Sequence, residues 1–453
     1  MTDHLRADLD QLLAQKNDYK MIRTWRREIL GCALLGSVGI LFLDSLIFLY
    51  GTYYHRDDGL VLYSTAVHDI MADFRETSFF RPFEYMILLA ANNIYLPLWF
   101  GASLLCAIGA TILSALGCEV LFERQLPKPG WWILGLANPL LFYLVTTPCT
   151  VSQGLCNILF GGAILAFVSE LHRLPDPPLA GWRGDRLAAS VNLLSAALFF
   201  TKELAVAAGV LIPLATALIR FKTRRLSRAY LFSLVLPIIA GIGWIVIKLQ
   251  FLSRFWNEEG RYTLKLNPIT WAENFITTLA FPVTPLPTSF IAFDLLRPLW
   301  VVVALGSVLM FLALVVYLSL RRPKIIFPLL VVAGSCAPMI LIHSSELYST
   351  MIAPFVVSIV LLFGVSRIGW PTLAYGLLLY AASFGNGMIY GLGADLNLLG
   401  SKHIEYSIYS REYQHASICP IATTTHVAWD GTAANNFFGW PGIKGRMICI
   451  DRR

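Results

Sequence analysis

Apolar residues gather along this chain in repeated blocks of about 20, separated by short polar stretches. An α-helix rises about 1.5 Å per residue, so a block of that length crosses the roughly 30 Å hydrocarbon core of a bilayer. Within lipid every backbone polar group needs an internal partner, which favours helices as the spanning elements. The pattern therefore predicts an all-α, polytopic membrane protein with about eleven spans: 29–50, 95–121, 131–147, 152–171, 187–201, 203–220, 229–250, 298–320, 325–342, 350–366 and 371–391.

The fifth and sixth of these spans are separated only by Thr201-Lys202-Glu203. The fifth is also short for a bilayer crossing. Two interpretations stay open at this point: a tight hairpin between two helices, or one broken helix.

Basic residues predict the orientation of the chain. They concentrate before the first span, after the sixth and after the eighth: Arg23, Arg26, Arg27, Arg220, Lys222, Arg224, Arg225, Arg228, Arg321, Arg322 and Lys324. With eleven spans all three groups fall on one side, which the positive-inside rule makes cytoplasmic. We therefore expect a multi-pass plasma membrane protein, of the bacterial inner-membrane type, with an amphipathic cytoplasmic segment at 1–28, a transmembrane domain at 29–391 and a periplasmic or external C-terminal cap at 392–453.

Three segments on the outer side are longer than simple connections. The loop 51–94 contains two apolar stretches too short to span, which predict interfacial helices. The segment 251–297 contains a proline-rich stretch that predicts a semi-rigid flap without continuous helix. The tail 392–453 is rich in aromatic residues, a composition that favours an ordered cap.

Composition limits the classes of partner. Hydrophobic residues make up 57% of the chain and charged residues 14%, with a mean hydropathy of +0.64. The formal net charge of +7 is accounted for by the basic groups beside the spans, so it indicates membrane lipid and no nucleic acid. Cys419 and Cys449 fall in the external tail and are candidates for a disulfide, although spacing alone does not establish the pairing. The pattern implies no metal site and no cofactor, and a divalent metal has no support in it.

The polar residues that could carry chemistry are predicted on the outer side. They form four groups that are far apart in sequence: Asp57 and Asp58; Arg81; Lys202 and Glu203; and His343, Glu346 and Tyr348. A carboxylate can accept a proton from a hydroxyl, and cations can neutralise a departing phosphate. Structural interpretations compete with this one: an exposed Asp-Asp-Gly turn, an interfacial arginine anchor, a self-neutralised Lys-Glu pair and a capping histidine.

The order of these groups resembles that in the integral-membrane GT-C glycosyltransferases, especially those related to the protein O-mannosyltransferases and the aminoarabinose transferases. The resemblance covers roughly 29–366. Within that range, the segment from Leu136-Ala-Asn-Pro139 to Gly154-Leu-Cys-Asn157 also resembles the third and fourth spans of that group. The sequence departs from the family pattern in three ways: Thr201 stands where relatives have serine, the proline after the late Glu-x-Tyr comes later, at Pro354, and the tail has no counterpart.

The resemblance implies an inverting transfer of a sugar from a polyprenyl-phosphate-linked donor to a cell-envelope glycan or lipid-linked acceptor at the external face. Asp57 or Asp58 would act as the base, and the remaining candidates would bind substrate. A narrower likeness, to serotype-modifying glucosyltransferases that act on the O-antigen of lipopolysaccharide, also fits. The alternatives are a lipid or oligosaccharide flippase and an envelope polysaccharide polymerase or ligase.

Overall fold

A computed structural model of the chain describes the following residues: 27–42, 81–93, 98–137, 151–173, 182–250, 266–286, 295–342, 346–363, 370–371, 374–382, 417–418 and 448–449. Almost all of the described residues are helical or connect helices. The candidate residues Asp57, Asp58, His343 and Cys419 lie outside these ranges.

The helices are numbered in chain order. They are α1 (27–42), α2 (Pro82–Asn93), α3 (Leu98–Phe122), α4 (Lys128–Ala137), α5 (Val151–Arg173), α6 (Trp182–Leu198), α7 (Val206–Lys222), α8 (Arg228–Gln250), α9 (Pro268–Val283), α10 (Arg297–Arg321), α11 (Ile326–Ser335), α12 (Ala337–Leu341), α13 (Glu346–Ser349), α14 (Ala353–Phe363) and α15 (374–382). Two 3₁₀ turns, Glu203–Ala205 and Pro323–Ile325, precede α7 and α11.

Five of the described helices are long and apolar enough to cross a membrane. They are Gly101–Phe122, Val151–Arg173, Glu203–Lys222, Arg228–Leu249 and Arg297–Arg321, and each coincides with a span expected from the sequence. The all-helical membrane architecture is therefore confirmed at this coarser level, whereas the count of eleven stays a prediction. Within the span of α5, 72% of residues are buried, against 22% in α8 and in α10. The first is thus a central helix, and the other two present apolar side chains outward.

One expected span is interrupted. The stretch 325–342 forms α11 and α12, which meet at Cys336. Pro338 explains the break, because it has no N–H to bond to the carbonyl four residues earlier and its ring crowds the preceding turn. The expected flap at 251–297 also differs in part, since Pro268–Val283 is helical there, with Asn267 capping its first turn through a bond from the Ile269 N–H (3.0 Å).

Small residues bring the central helices α3 and α5 together. A Cβ on Gly161 would lie 3.2 Å from the Ser114 hydroxyl and 3.3 Å from the Ala110 carbonyl, and one on Gly154 would lie 3.2 Å from Cys106 Cβ. Between apolar helices such small side chains allow the backbones to approach closely, which increases van der Waals contact. Gly154, the first residue of the segment Gly154-Leu-Cys-Asn157, thus contributes to packing between these helices.

The interruption at Thr201–Glu203 is a hairpin. After α6 ends, the Thr201 hydroxyl donates to the Leu198 carbonyl (2.8 Å), and Lys202 takes an extended conformation before the 3₁₀ turn. The far ends of the two helices meet as well, because Arg220 near the end of α7 contacts Asp185 in the first turn of α6 (2.5 Å). Helices α6 and α7 are therefore antiparallel, and the interpretation as a tight hairpin, not as one broken helix, is correct.

A buried ionic cluster, the Arg220 cluster, joins α5, α6, α7 and α8 at this end of the bundle. The guanidinium of Arg220 contacts the carboxylates of Glu170 (2.6 Å) and Asp185 (2.5 Å) and lies 4.7 Å from the centroid of the Tyr230 ring. The Ser227 hydroxyl donates to the second oxygen of Asp185 (2.6 Å). All three charged residues are buried, so their mutual contacts replace lost hydration.

Contacts place parts of all three basic groups at the same end of the bundle. Arg322 donates to the Phe122 carbonyl, and Arg225 donates to the Arg173 carbonyl at the end of α5 (3.4 Å). Glu28, next to Arg27, pairs with Lys128 (3.7 Å) just beyond the end of α3. We call this the basic end. Lys202 and Glu203 lie at the opposite end, because about 25 Å of helix separates Glu203 from Arg220.

The tail contributes one short described pairing. Strands β1 (Ser417–Ile418) and β2 (Ile448–Cys449) are antiparallel, with Ser417 opposite Cys449. Cys419 follows β1 directly and lies outside the described residues. The disulfide stays a prediction.

Candidate functional site

Four polar side chains from three chain segments meet at the end of the bundle opposite the basic end. The carboxylate of Glu203 lies between two cations, with Oε2 3.5 Å from an Arg81 nitrogen and Oε1 3.4 Å from Lys248 Nζ. Arg81 also lies 3.6 Å from the Glu84 carboxylate. These separations exceed the 2.7–2.9 Å typical of charge-assisted hydrogen bonds, so the pairs are looser than those of the Arg220 cluster.

Lys202 joins the same group through an aromatic side chain. Its Nζ lies 4.9 Å from the centroid of the Tyr348 ring, within the range of a cation–π interaction. Lys202 is 6% exposed, so its ammonium group is almost wholly removed from the surrounding solvent or lipid. Arg81, Glu84, Lys202, Glu203, Lys248 and Tyr348 are together called the polar cluster below.

Local structure explains how each element delivers its residue. Arg81 precedes Pro82, which begins α2 and needs no hydrogen-bond partner for its missing N–H. Edge-to-face packing of Phe83 on Phe200 (6.2 Å between centroids) holds the start of α2 against the α6–α7 turn. That turn carries Lys202 and Glu203, and α8 returns from the basic end to bring Lys248 alongside.

A series of buried hydrogen bonds connects α5 to the short segment that contains Tyr348. Gln153 donates to Asn157 Oδ1 (2.8 Å), and Asn157 donates to the Thr350 hydroxyl (2.9 Å). All three residues are buried, and Thr350 lies two residues after Tyr348. The bond from α5 thus fixes the short segment on which Lys202 rests. Gln153 Oε1 has no hydrogen-bond partner among the described atoms.

The structure brings together four of the eight residues that the sequence singled out: Arg81, Lys202, Glu203 and Tyr348. Glu346 is the first residue of α13, and its side chain lies outside what the structure describes. Asp57, Asp58 and His343 lie outside the described residues, so their predicted roles stay predictions.

Sequence reasoning missed two members of the polar cluster. Glu84 was recognisable, because it follows Arg81 by three residues and falls on the same face of a helix that starts at Pro82. Lys248 is an isolated charge near the end of an apolar span, a position that usually indicates an interfacial anchor. Only the tertiary packing of α8 shows that it reaches Glu203.

The arrangement suits the binding of an anion. Its described charges are those of Arg81, Lys202 and Lys248 against Glu84 and Glu203, a formal balance of 3 − 2 = +1. Partly buried cations attract an anion more strongly than solvated ones because screening is weaker. Within the described parts of the chain, no three His, Cys, Asp or Glu residues are grouped closely enough to hold a metal ion.

Comparisons of the chain with models of known families, with curated proteins and with solved structures found no match. The fold and the cluster define a helical membrane protein in which the described residues of the polar cluster carry a net positive formal charge at one end of the bundle.

Proposed function

We propose that the protein is a glycosyltransferase that uses a polyprenyl-phosphate-linked sugar as donor. The observation that supports this best is the convergence of Arg81, Lys202 and Lys248 around Glu203 at one end of apolar helices. A phosphate attached to a lipid would reach such a site while its hydrocarbon tail stays among lipid chains. The resemblance of Arg81, Lys202 and Glu203 to the motifs of GT-C glycosyltransferases points to the same reaction.

In the proposed reaction, an acceptor hydroxyl attacks the anomeric carbon of the donor sugar. The bond from that carbon to the phosphate oxygen breaks, and polyprenyl phosphate leaves with the bonding electron pair. Asp57 or Asp58 accepts the hydroxyl proton, while the cations of the polar cluster stabilise the charge that develops on the phosphate. Attack opposite the leaving group inverts the configuration at the anomeric carbon.

The topology belongs to the same proposal. We propose about eleven spans with the basic end in the cytoplasm, because parts of all three basic groups meet there. The polar cluster then faces the outside of the cell, where the acceptor would be a cell-envelope glycan or a lipid-linked glycan. The tail 392–453 would form a cap on that side.

A flippase fits the described interior less well. The buried polar residues Gln153, Asn157 and Thr350 bond to one another between packed helices, so these groups are engaged within the protein. An envelope polysaccharide polymerase or ligase shares the acceptor class, and the two activities differ in whether one sugar or a preassembled chain is moved.

The proposal is tested by Asp57→Asn in purified protein supplied with polyprenyl-phosphate-hexose and an envelope glycan extract. We expect transfer to fall about 100- to 10,000-fold, the usual effect of losing a general base, while donor binding stays near normal. Glu123→Gln, at an exposed position of the basic end, is the matched control for a lost carboxylate elsewhere. Wild-type transfer rates in both Asp57→Asn and Asp58→Asn would show that the assignment of the base is wrong.

A further inference from the structure

The charge of the polar cluster depends on one carboxylate that holds two cations at once. Glu203 contacts Arg81 through one oxygen and Lys248 through the other, at 3.5 and 3.4 Å. Removing its charge would raise the formal balance of the described cluster from +1 to +2. Glu84 contributes the other negative charge and lies 3.6 Å from Arg81. Glu203 contacts both Arg81 and Lys248, so its charge acts on both cations.

The two phosphate species of the proposed reaction differ in charge. A polyprenyl-phosphate-linked sugar is a phosphodiester and carries a single negative charge. The polyprenyl phosphate that leaves is a phosphomonoester, and with a second pKa of about 6 it carries close to two negative charges above neutral pH. Glu203 lies between Arg81 and Lys248, where its carboxylate would repel the second negative charge of the monoester and so weaken the binding of that species relative to the diester.

We propose that Glu203 is a specificity-determining residue that makes the site favour a phosphodiester over a phosphomonoester dianion. The proposal rests on the proposed function. Glu203 acts by repelling the second negative charge of the monoester, and it places Arg81 and Lys248 on either side of the bound phosphate. Specificity of this kind comes from an unfavourable contact with the wrong ligand as much as from favourable contacts with the right one. The consequence is faster release of the spent carrier lipid after transfer.

The long contacts of Glu203 agree with this role. A carboxylate that served only to fix two cations would be expected at 2.7–2.9 Å from them, as Glu170 and Asp185 nearly are from Arg220. At 3.4–3.5 Å, Glu203 does not form short charge-assisted hydrogen bonds with either cation. Glu203 is also 20% exposed in its side chain, whereas the acids of the Arg220 cluster are 5% and 10% exposed.

The experiment compares two probes that share one tail, polyprenyl phosphate and its methyl diester. Binding of each to the full-length protein in detergent is measured at pH 8 and low salt, with the uncharged polyprenol as a further probe and inorganic phosphate as a test for tail-independent binding. The quantity of interest is the ratio of the two dissociation constants. Glu203→Gln should shift this ratio toward the monoester on the order of ten-fold. Glu203→Asp should stay close to the wild type.

Three further measurements separate charge from structure. Glu123→Gln removes an exposed carboxylate from the opposite end and should leave the ratio unchanged. Lys248→Gln lowers the balance of the cluster and should shift the ratio toward the diester, which keeps the proposal testable if Glu203→Gln does not fold. In Glu203→Gln, the ratio of the two dissociation constants should shift back toward the diester from pH 8 to pH 5. Of the two lipid probes, only the monoester takes up a proton over this range.

The outcomes distinguish this proposal from the proposed function. If neither phosphate probe binds better than polyprenol to the wild type, both are overturned. If both probes bind to the wild type but Glu203→Gln leaves the ratio unchanged, or shifts it toward the diester, only the role of Glu203 is overturned. Equal binding of inorganic phosphate and the lipid probes would overturn a lipid-linked substrate.

Discussion

At the scale of single residues, the polar cluster shows how tertiary packing determines the partners of a charged side chain. The sequence alone predicts that Lys202 is a cation at a turn. The competing interpretation is that Lys202 and Glu203 neutralise each other. In the structure its neighbour Glu203 is engaged by Arg81 and Lys248, and Lys202 rests on Tyr348. Glu203 thus has two cationic neighbours other than Lys202, so the two adjacent residues do not form an isolated, self-neutralised pair.

Lys202→Ala should reduce the use of a polyprenyl-phosphate-linked sugar strongly, because a buried cation beside the proposed phosphate is lost. Lys202→Arg should retain part of the activity, since charge survives but the compact ammonium geometry does not. Transfer and thermal stability are measured on the same sample, with Lys222→Ala at the exposed end of α7 as the control. Reduced stability with unchanged transfer per folded molecule would return Lys202 to a structural role.

At the scale of elements, the hairpin of α6 and α7 is fastened at both ends by different kinds of interaction. The Arg220 cluster holds its basic end with buried, short contacts, and the polar cluster holds the other with longer ones. Breaking a buried ion pair from one side is costly because the remaining charge keeps its desolvation penalty without its partner. The bundle should therefore depend on Arg220 for stability and on the polar cluster for binding.

Arg220→Met should lower the free energy of unfolding by about 3–5 kcal/mol, because it leaves Glu170 and Asp185 buried without their shared cation. The triple variant Arg220→Met, Glu170→Gln, Asp185→Asn should recover much of that loss by removing the charges together. Unfolding in mixed micelles measures both, and Arg228→Met, at an exposed position on α8, should change stability by less than about 0.5 kcal/mol. A triple variant no more stable than Arg220→Met would contradict the explanation.

At the scale of the whole molecule, contacts between distant segments define two ends of the bundle. One end contains three contacts between distant segments: Glu28 with Lys128, Arg322 with Phe122, and Arg225 with Arg173. Arg81, Glu203 and Lys248 gather at the other. The positive-inside rule then gives each end a side of the membrane.

Cysteines introduced at Arg224 and at Asn435, one at a time, should react differently with a membrane-impermeant thiol reagent in intact cells. Arg224→Cys lies at the basic end and should react only after permeabilisation, whereas Asn435→Cys in the tail should react without it. Both substitutions are made with Cys419→Ser and Cys449→Ser, because these two cysteines are predicted in the external tail, whereas the cysteines described as free are buried. Labelling of both positions from outside would contradict the proposed eleven-span topology.

The sequence by itself determined the helical, membrane-spanning character of the chain and the outlines of its long apolar helices. It could do so because hydrocarbon imposes strict requirements on length and backbone hydrogen bonding, which leave a local signal in about 20 residues. It also selected Arg81, Lys202, Glu203 and Tyr348, and the structure brings them together. It gave no local sign of the break at Cys336 beyond Pro338, and it left the Thr201–Glu203 interruption open.

Only the tertiary structure decided the partners of these residues. Lys248 enters the polar cluster because α8 packs beside the α6–α7 hairpin, and Tyr348 meets Lys202 because Asn157 on α5 holds Thr350. Such contacts join positions separated by up to about two hundred residues, so no local pattern encodes them. The physical reason is that apolar spans have many side chains of similar hydrophobicity, and the close fit of small residues such as Gly154 and Gly161 chooses which helices become neighbours.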